Sequence, residues 1–94
     1  MNLQDLHTEE KAVQTNVLFE ATQNVISIQI AKGEQLKEHI TKIPALLICV
    51  SGSAIFSDEN EQKINLKTGV YVKIEPNVKH KIDAIKESNF LLIK

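Results

Sequence analysis

Arginine is absent: all 11 basic residues are lysines, set against 12 acidic residues for a formal net charge of −1. The chain therefore lacks the side chain that reads guanine or phosphate bidentately, and no cluster of lysines stands in for it. No nucleic acid partner is expected. Cysteine occurs once, at Cys49, so no intrachain disulfide can form. No apolar run approaches the ~20 residues that a membrane helix needs, and no membrane partner is expected. The N-terminus, Met1-Asn2-Leu3-Gln4-Asp5-Leu6, shows no basic-then-apolar leader pattern. The expected compartment is the cytoplasm. Aromatic residues make up only 4% of the chain, so stacking on a flat ligand is not the expected mode of recognition.

What remains is an ordinary folded composition, 43% apolar, in 94 residues. That length gives one domain with one core. A chain of this size buries roughly 60–65% of the surface its unfolded form exposes, so association as a homodimer is expected to help it.

Residues 1–13 read as an N-terminal arm or short helical turn, with Leu3 and Leu6 three apart. From residue 14 to 94 the pattern is that of short strands. Val17-Leu18-Phe19 is the first apolar cluster. Ile26, Ile28 and Ile30 alternate with Ser27 and Gln29, the period of a half-buried strand. Ala45 to Val50 is a continuous apolar run, suited to burial on both faces. Ala54-Ile55-Phe56 leads through the turn-rich Ser57-Asp58-Glu59-Asn60 into alternating Ile64 and Leu66, which predicts a hairpin. Val70 to Ile74, Lys79 to Ala84 and Phe90 to Ile93 complete about eight strands. With no helical period between them, the fold class is all-β, a sandwich or barrel.

The three glycines, Gly33, Gly52 and Gly69, all fall at strand boundaries, and two motifs hang on them. Gly33, five residues, His39-Ile40-Thr41, three residues, Ala45, six residues and Gly52 resemble the first cupin motif. Gly69, Val70 to Ile74, Glu75-Pro76-Asn77-Val78-Lys79-His80, Lys81-Ile82-Asp83 and Ala84 resemble the second. Glu38-His39-x-Thr41, Pro44-Ala45-Leu46-Leu47 and Pro76-x3-His80 look like the small stand-alone bacterial cupins. The resemblance covers roughly residues 16–94 and implies a single antiparallel jelly-roll β-barrel.

The departures from the family pattern bear on chemistry. Thr41 stands where the family has its second metal histidine, and Ala45 or Leu46 where it has a glutamate. Asn77 replaces a motif glycine, a position it can fill in a left-handed conformation, and Ala84 replaces the final asparagine. Of the usual ligands of iron, manganese, nickel or zinc, only His39 and His80 remain. Strand geometry would point His39 and Thr41 the same way, with His80 opposite. Two imidazoles and a hydroxyl fall short of the three protein ligands of a catalytic site. Glu38 should face outward, Lys37 would share the His39 face and repel a cation, and His7 could arrive only if the arm folds back.

Other residues suggest less chemistry. Cys49 lies mid-strand and reads as an inert buried thiol. Tyr71 reads as core or interface, and Lys79, Lys81 and Lys86 as a solvated face. Ser51 and Ser53 beside Gly52 form no nucleophile elbow. No phosphate-binding glycine loop and no paired carboxylates are evident. The favoured reading is a non-catalytic domain that binds a small molecule in the barrel interior, in a pocket of Ile, Leu and Val oriented by His39, Thr41 and His80. A metal-dependent dioxygenase or isomerase using His39 and His80 is the alternative. A structural or regulatory dimer that binds protein through a strand edge is the third.

Overall fold

Apolar–polar alternation becomes eight strands in a computed structural model that describes all 94 residues. They are β1 (Val25–Ile30), β2 (Gln35–His39), β3 (Ala45–Ser51), β4 (Ser53–Asp58), β5 (Lys63–Lys67), β6 (Tyr71–Ile74), β7 (His80–Ala84) and β8 (Ser88–Ile93). A short 3-10 helix, Leu3–Leu6, precedes them. Two antiparallel sheets have the strand orders β1-β8-β3-β6 and β2-β7-β4-β5. The chain changes sheet at every connection except the β4–β5 hairpin, the winding of a jelly roll. No ladder joins the two sheets, so the expected closed barrel is instead an open sandwich. No helix is long and apolar enough to cross a membrane.

Each inner face follows from period two. Ile28 and Ile30, Leu47 and Cys49, Val72 and Ile74, and Phe90 and Leu92 meet Ala54 and Phe56, Leu66, and Ile82 and Ala84 from the other sheet. Burial of this apolar set is the main driving term for the fold. Cys49 is fully buried and its thiol donates to the Ser51 carbonyl. Burial pushes that thiol above its ordinary range, an effect the carbonyl contact only partly opposes, so it stays protonated and inert at neutral pH.

One run was expected as a strand and is not. Val17-Leu18-Phe19 lies in the irregular chain before β1. That segment is tied at both ends: the Tyr71 N–H donates to the Met1 carbonyl at 3.0 Å, and the Thr22 and Gln23 N–H groups donate to the Lys94 carbonyl. Its hydrogen bonds therefore fasten it to the edge of β6 and to the end of β8. Leu46 and Tyr71 point away from the core, yet are only 1% and 7% exposed. The tied segment is the stretch of chain that can cover them. Val25 and Val50 stay exposed.

Candidate functional site

The site lies where β2, β7 and β4 run side by side. His39 pairs with His80, and His80 pairs with Asp58, so three titratable groups form a row across the sheet. Inward-facing Phe56 and Ile82 sit one step deeper on β4 and β7. Asp58 continues the alternation set by Ala54 and Phe56, and that periodicity was the signal by which sequence reasoning could have found it. The sequence instead suggested only a turn there.

A β-bulge places His39. Leu36 pairs with Ile82 and His39 with His80, so three residues of β2 span two of β7. Without the extra residue Glu38 would occupy the inward position. The bulge also removes Lys37 from the His39 face: Lys37 and Glu38 are both exposed, while His39 is half-buried. The expected repulsion of a cation by Lys37 is thereby overturned. Thr41 differs from expectation as well. β2 ends at His39, so Thr41 lies in the connection to β3 rather than two places along a strand. It is 4% exposed, its hydroxyl has no hydrogen-bond partner, and its carbonyl accepts from the Asn77 N–H at 2.8 Å. That bond ties together the remnants of the two motifs, and Asn77 adopts the left-handed conformation with φ 64°. His7 is exposed beyond the end of the short helix.

The histidine rings touch, with centroids 4.2 Å apart and planes at 58°. His80 also stacks on Phe56, at 5.6 Å and 21°. Nδ1 of His39 lies 2.9 Å from the Lys37 carbonyl, and Nδ1 of His80 lies 3.1 Å from the Val78 carbonyl. A carbonyl can only accept, so each Nδ1 carries the hydrogen and donates it. Neither Nε2 has a partner within the protein, and in a neutral ring it keeps its lone pair.

His80 is only 3% exposed, and burial holds its imidazole below the ordinary value of 6.5. The Val78 carbonyl and Asp58 work in the opposite direction, while His39 lowers it further. The unfolded chain therefore takes up this proton at higher pH than the folded one. Stability is expected to hold above about pH 6.5, the unfolded value, and to fall as pH drops below it. Urea midpoints measured from pH 8 to pH 5 check this, and in His80→Phe that part of the decline is expected to vanish. An equal decline in wild type and variant would remove His80 as its cause.

A cleft of about 420 Å³ opens beside His80. Its walls are Phe56 and Asp58 of β4, the turn residues Asn60 to Gln62, Lys73 to Glu75 at the end of β6, and Val78 and His80. Polar groups predominate, contrary to the expected Ile, Leu and Val lining. The reason is packing: aliphatic side chains of the two sheets fill the interior, and the open space lies at its mouth. Of the three expected pocket residues, His80 borders the cleft, His39 contacts the His80 ring, and Thr41 is not among the lining groups.

The free Nε2 atoms have the tautomer of metal-ligating imidazoles. A third donor is missing, since no cluster of three His, Cys, Asp or Glu side chains could hold a metal ion. Asp58 commits Oδ1 to the Asn60 and Gln62 amides. Two imidazoles do not fit a resident transition-metal centre.

No family model matches the sequence, and no curated protein matches it. Solved structures do resemble it. A conserved protein of unknown function from Streptococcus pyogenes superposes with a TM-score of 0.69 at 17% identity, over 73% of this chain and 60% of that one. A cupin superfamily protein from Desulfitobacterium hafniense superposes with a TM-score of 0.67 at 22% identity, over 93% and 92%. An oxalate decarboxylase from Bacillus subtilis, a protein with Mn(II) centres, gives 0.66 at 19% identity, over 73% and 20%. The chain thus spans less than two thirds of the streptococcal protein and a fifth of the decarboxylase chain. Likeness at these identities speaks to architecture, and it agrees with the winding of the two sheets: the chain has the cupin fold.

Proposed function

We propose that this protein is a small-molecule-binding domain whose ligand sits at the mouth of the jelly roll against His80. One observation carries the reading. A buried imidazole, its Nδ1 already bonded, borders a cleft of about 420 Å³ with its Nε2 unpartnered. An imidazole nitrogen with a free lone pair beside open space can accept a hydrogen bond from a ligand. The cleft volume falls within the range of small-ligand sites, about 300–1,000 Å³. His39 braces the ring from β2, and Phe56 supports it from the core side.

The donor count favours binding over metal-dependent catalysis. Elemental analysis of the purified protein beside His39→Ala/His80→Ala is expected to find no stoichiometric transition metal in either. Near-equimolar metal that disappears in the double variant would overturn the reading and restore the enzyme alternative. Thermal-shift screening supplies the positive arm. At a ligand concentration 100 times Kd, wild type gains about 2.7 kcal/mol. His80→Phe keeps a ring against Phe56 but has no nitrogen to offer, and it is expected to lose most of that gain while staying folded.

A further inference from the structure

The cleft offers a ligand mostly hydrogen-bond acceptors. Asp58, Glu61 and Glu75 bring three carboxylates to its rim, and Lys73 is the one cation among the lining residues. None of the three carboxylates is paired: the ion pairs of the chain are Lys11–Glu9 and Lys81–Asp83. Against these unpaired charges stands His80, 3% exposed, whose Nε2 presents a lone pair. Burial keeps that ring neutral, so it accepts rather than donates. The apolar part of the wall is Phe56, Ile74 and Val78.

Two of the acceptors, Asp58 and His80, are held in place. Asp58 Oδ1 accepts the Asn60 and Gln62 N–H groups at 3.0 Å each, which leaves Oδ2 outside the turn. Glu59 and Lys79 bond in both directions, Glu59 N–H to the Lys79 carbonyl and Lys79 N–H to Glu59 Oε1, each at 2.9 Å. The hairpin tip is thereby fastened to Lys79, the residue before His80, so Asp58 and the imidazole share one frame.

We infer that the cleft binds a small organic cation, an ammonium or guanidinium compound with a short aliphatic body. Its N–H groups meet the His80 Nε2 and the carboxylates of Asp58, Glu61 and Glu75, and its methylene groups lie on Phe56, Ile74 and Val78. The inference rests on the binding-domain reading and sharpens it to a ligand class. An anion would face three carboxylates against one lysine, and a neutral polyol would gain nothing from their charge.

Five probes test it on ¹⁵N-labelled protein: putrescine, agmatine, the neutral analogue 1,4-butanediol, the diacid succinate and Mn²⁺. Putrescine and agmatine are expected to shift the amides of Asp58 to Gln62, of Lys73 to Glu75 and of Asn77 to His80. Their affinity is expected to fall about tenfold in Glu61→Gln/Glu75→Gln and to weaken with added salt, since exposed charges are screened. These substitutions lie on the surface and leave the core intact. If succinate or butanediol shifts these amides and the amines do not, the cation class falls while the binding cleft stands. If Mn²⁺ alone occupies the same amides and displaces putrescine, the proposal and the binding-domain reading both fall to a metal site. If no probe reaches the cleft at millimolar concentration, the proposal falls, and the thermal-shift screen decides the broader reading separately.

Discussion

Gly52→Ala is expected to remove about 2–6 kcal/mol of stability, from strain of roughly 1–3 kcal/mol and overpacking of similar size. Gly52 is the corner at which the chain leaves β3 in one sheet and enters β4 in the other, and its φ is +107°. An added Cβ there would meet the Glu87 carbonyl oxygen and the Ser88 Cα at 2.6 Å each, as well as the Ser88 hydroxyl. Two of these obstacles are backbone, so a rotamer change cannot relieve them. The corner is also stapled: the fully buried Ser88 hydroxyl accepts the Ser53 N–H at 3.1 Å and lies 2.8 Å from the Lys86 carbonyl, to which it donates. Small domains hold about 5–15 kcal/mol in total, so this one methyl group consumes a large share. Gly33→Ala is the control. Its φ is +78° but nothing lies within 4 Å of the added Cβ, so only the backbone cost of about 1–2 kcal/mol is expected. Urea midpoints of both variants give the comparison. Equal losses at the two glycines would show that conformation alone, and not the close approach at the corner, sets the requirement at Gly52.

That corner also illustrates how much could be read beforehand. Period-two alternation was enough to expect an all-β sandwich or barrel, because it is a local consequence of chain geometry, and the resemblance of the two glycine-bounded motifs to those of the cupins implied the jelly roll. Closure was not legible, since it depends on whether the edge strands β1, β6, β2 and β5 meet. Val17-Leu18-Phe19 has the composition of a strand but lies outside both sheets, and tertiary partners outweigh propensity in such short runs. Gln35 to His39 is the converse. It carries one aliphatic residue and two charges, and its bulge breaks the alternation that would have marked it. The same bulge hid the orientation of Lys37. At the candidate site, His39 and His80 were singled out by the resemblance to the two cupin motifs, and the structure brings their rings together. The carboxylates were missed because Asp58, Glu61 and Glu75 come from β4, a turn and the end of β6, and only the fold makes them neighbours.

Phe56→Ala is expected to cost about 3–5 kcal/mol, the usual range for truncating a buried aromatic side chain. Phe56 is 2% exposed at the inward face of β4, between Ile64 of β5 and Ile82 of β7. Its ring serves two layers at once, packing in the core and stacking on His80. Truncation leaves a void, and this void would open toward the polar cleft that Phe56 helps to wall. Water entering there would rehydrate His80, weakening the burial that holds its imidazole low. Two readouts should therefore move together. Stability at pH 7.5 falls by several kcal/mol, and the further loss between pH 7.5 and pH 5.5 becomes smaller than in wild type. Phe56→Leu retains most of the volume and is expected to cost less than the alanine variant, with the pH dependence largely preserved. If Phe56→Ala keeps the full wild-type pH dependence, then His80 does not owe its low value to this neighbour. The desolvation must in that case come from the far side of the ring, where His39 lies against it.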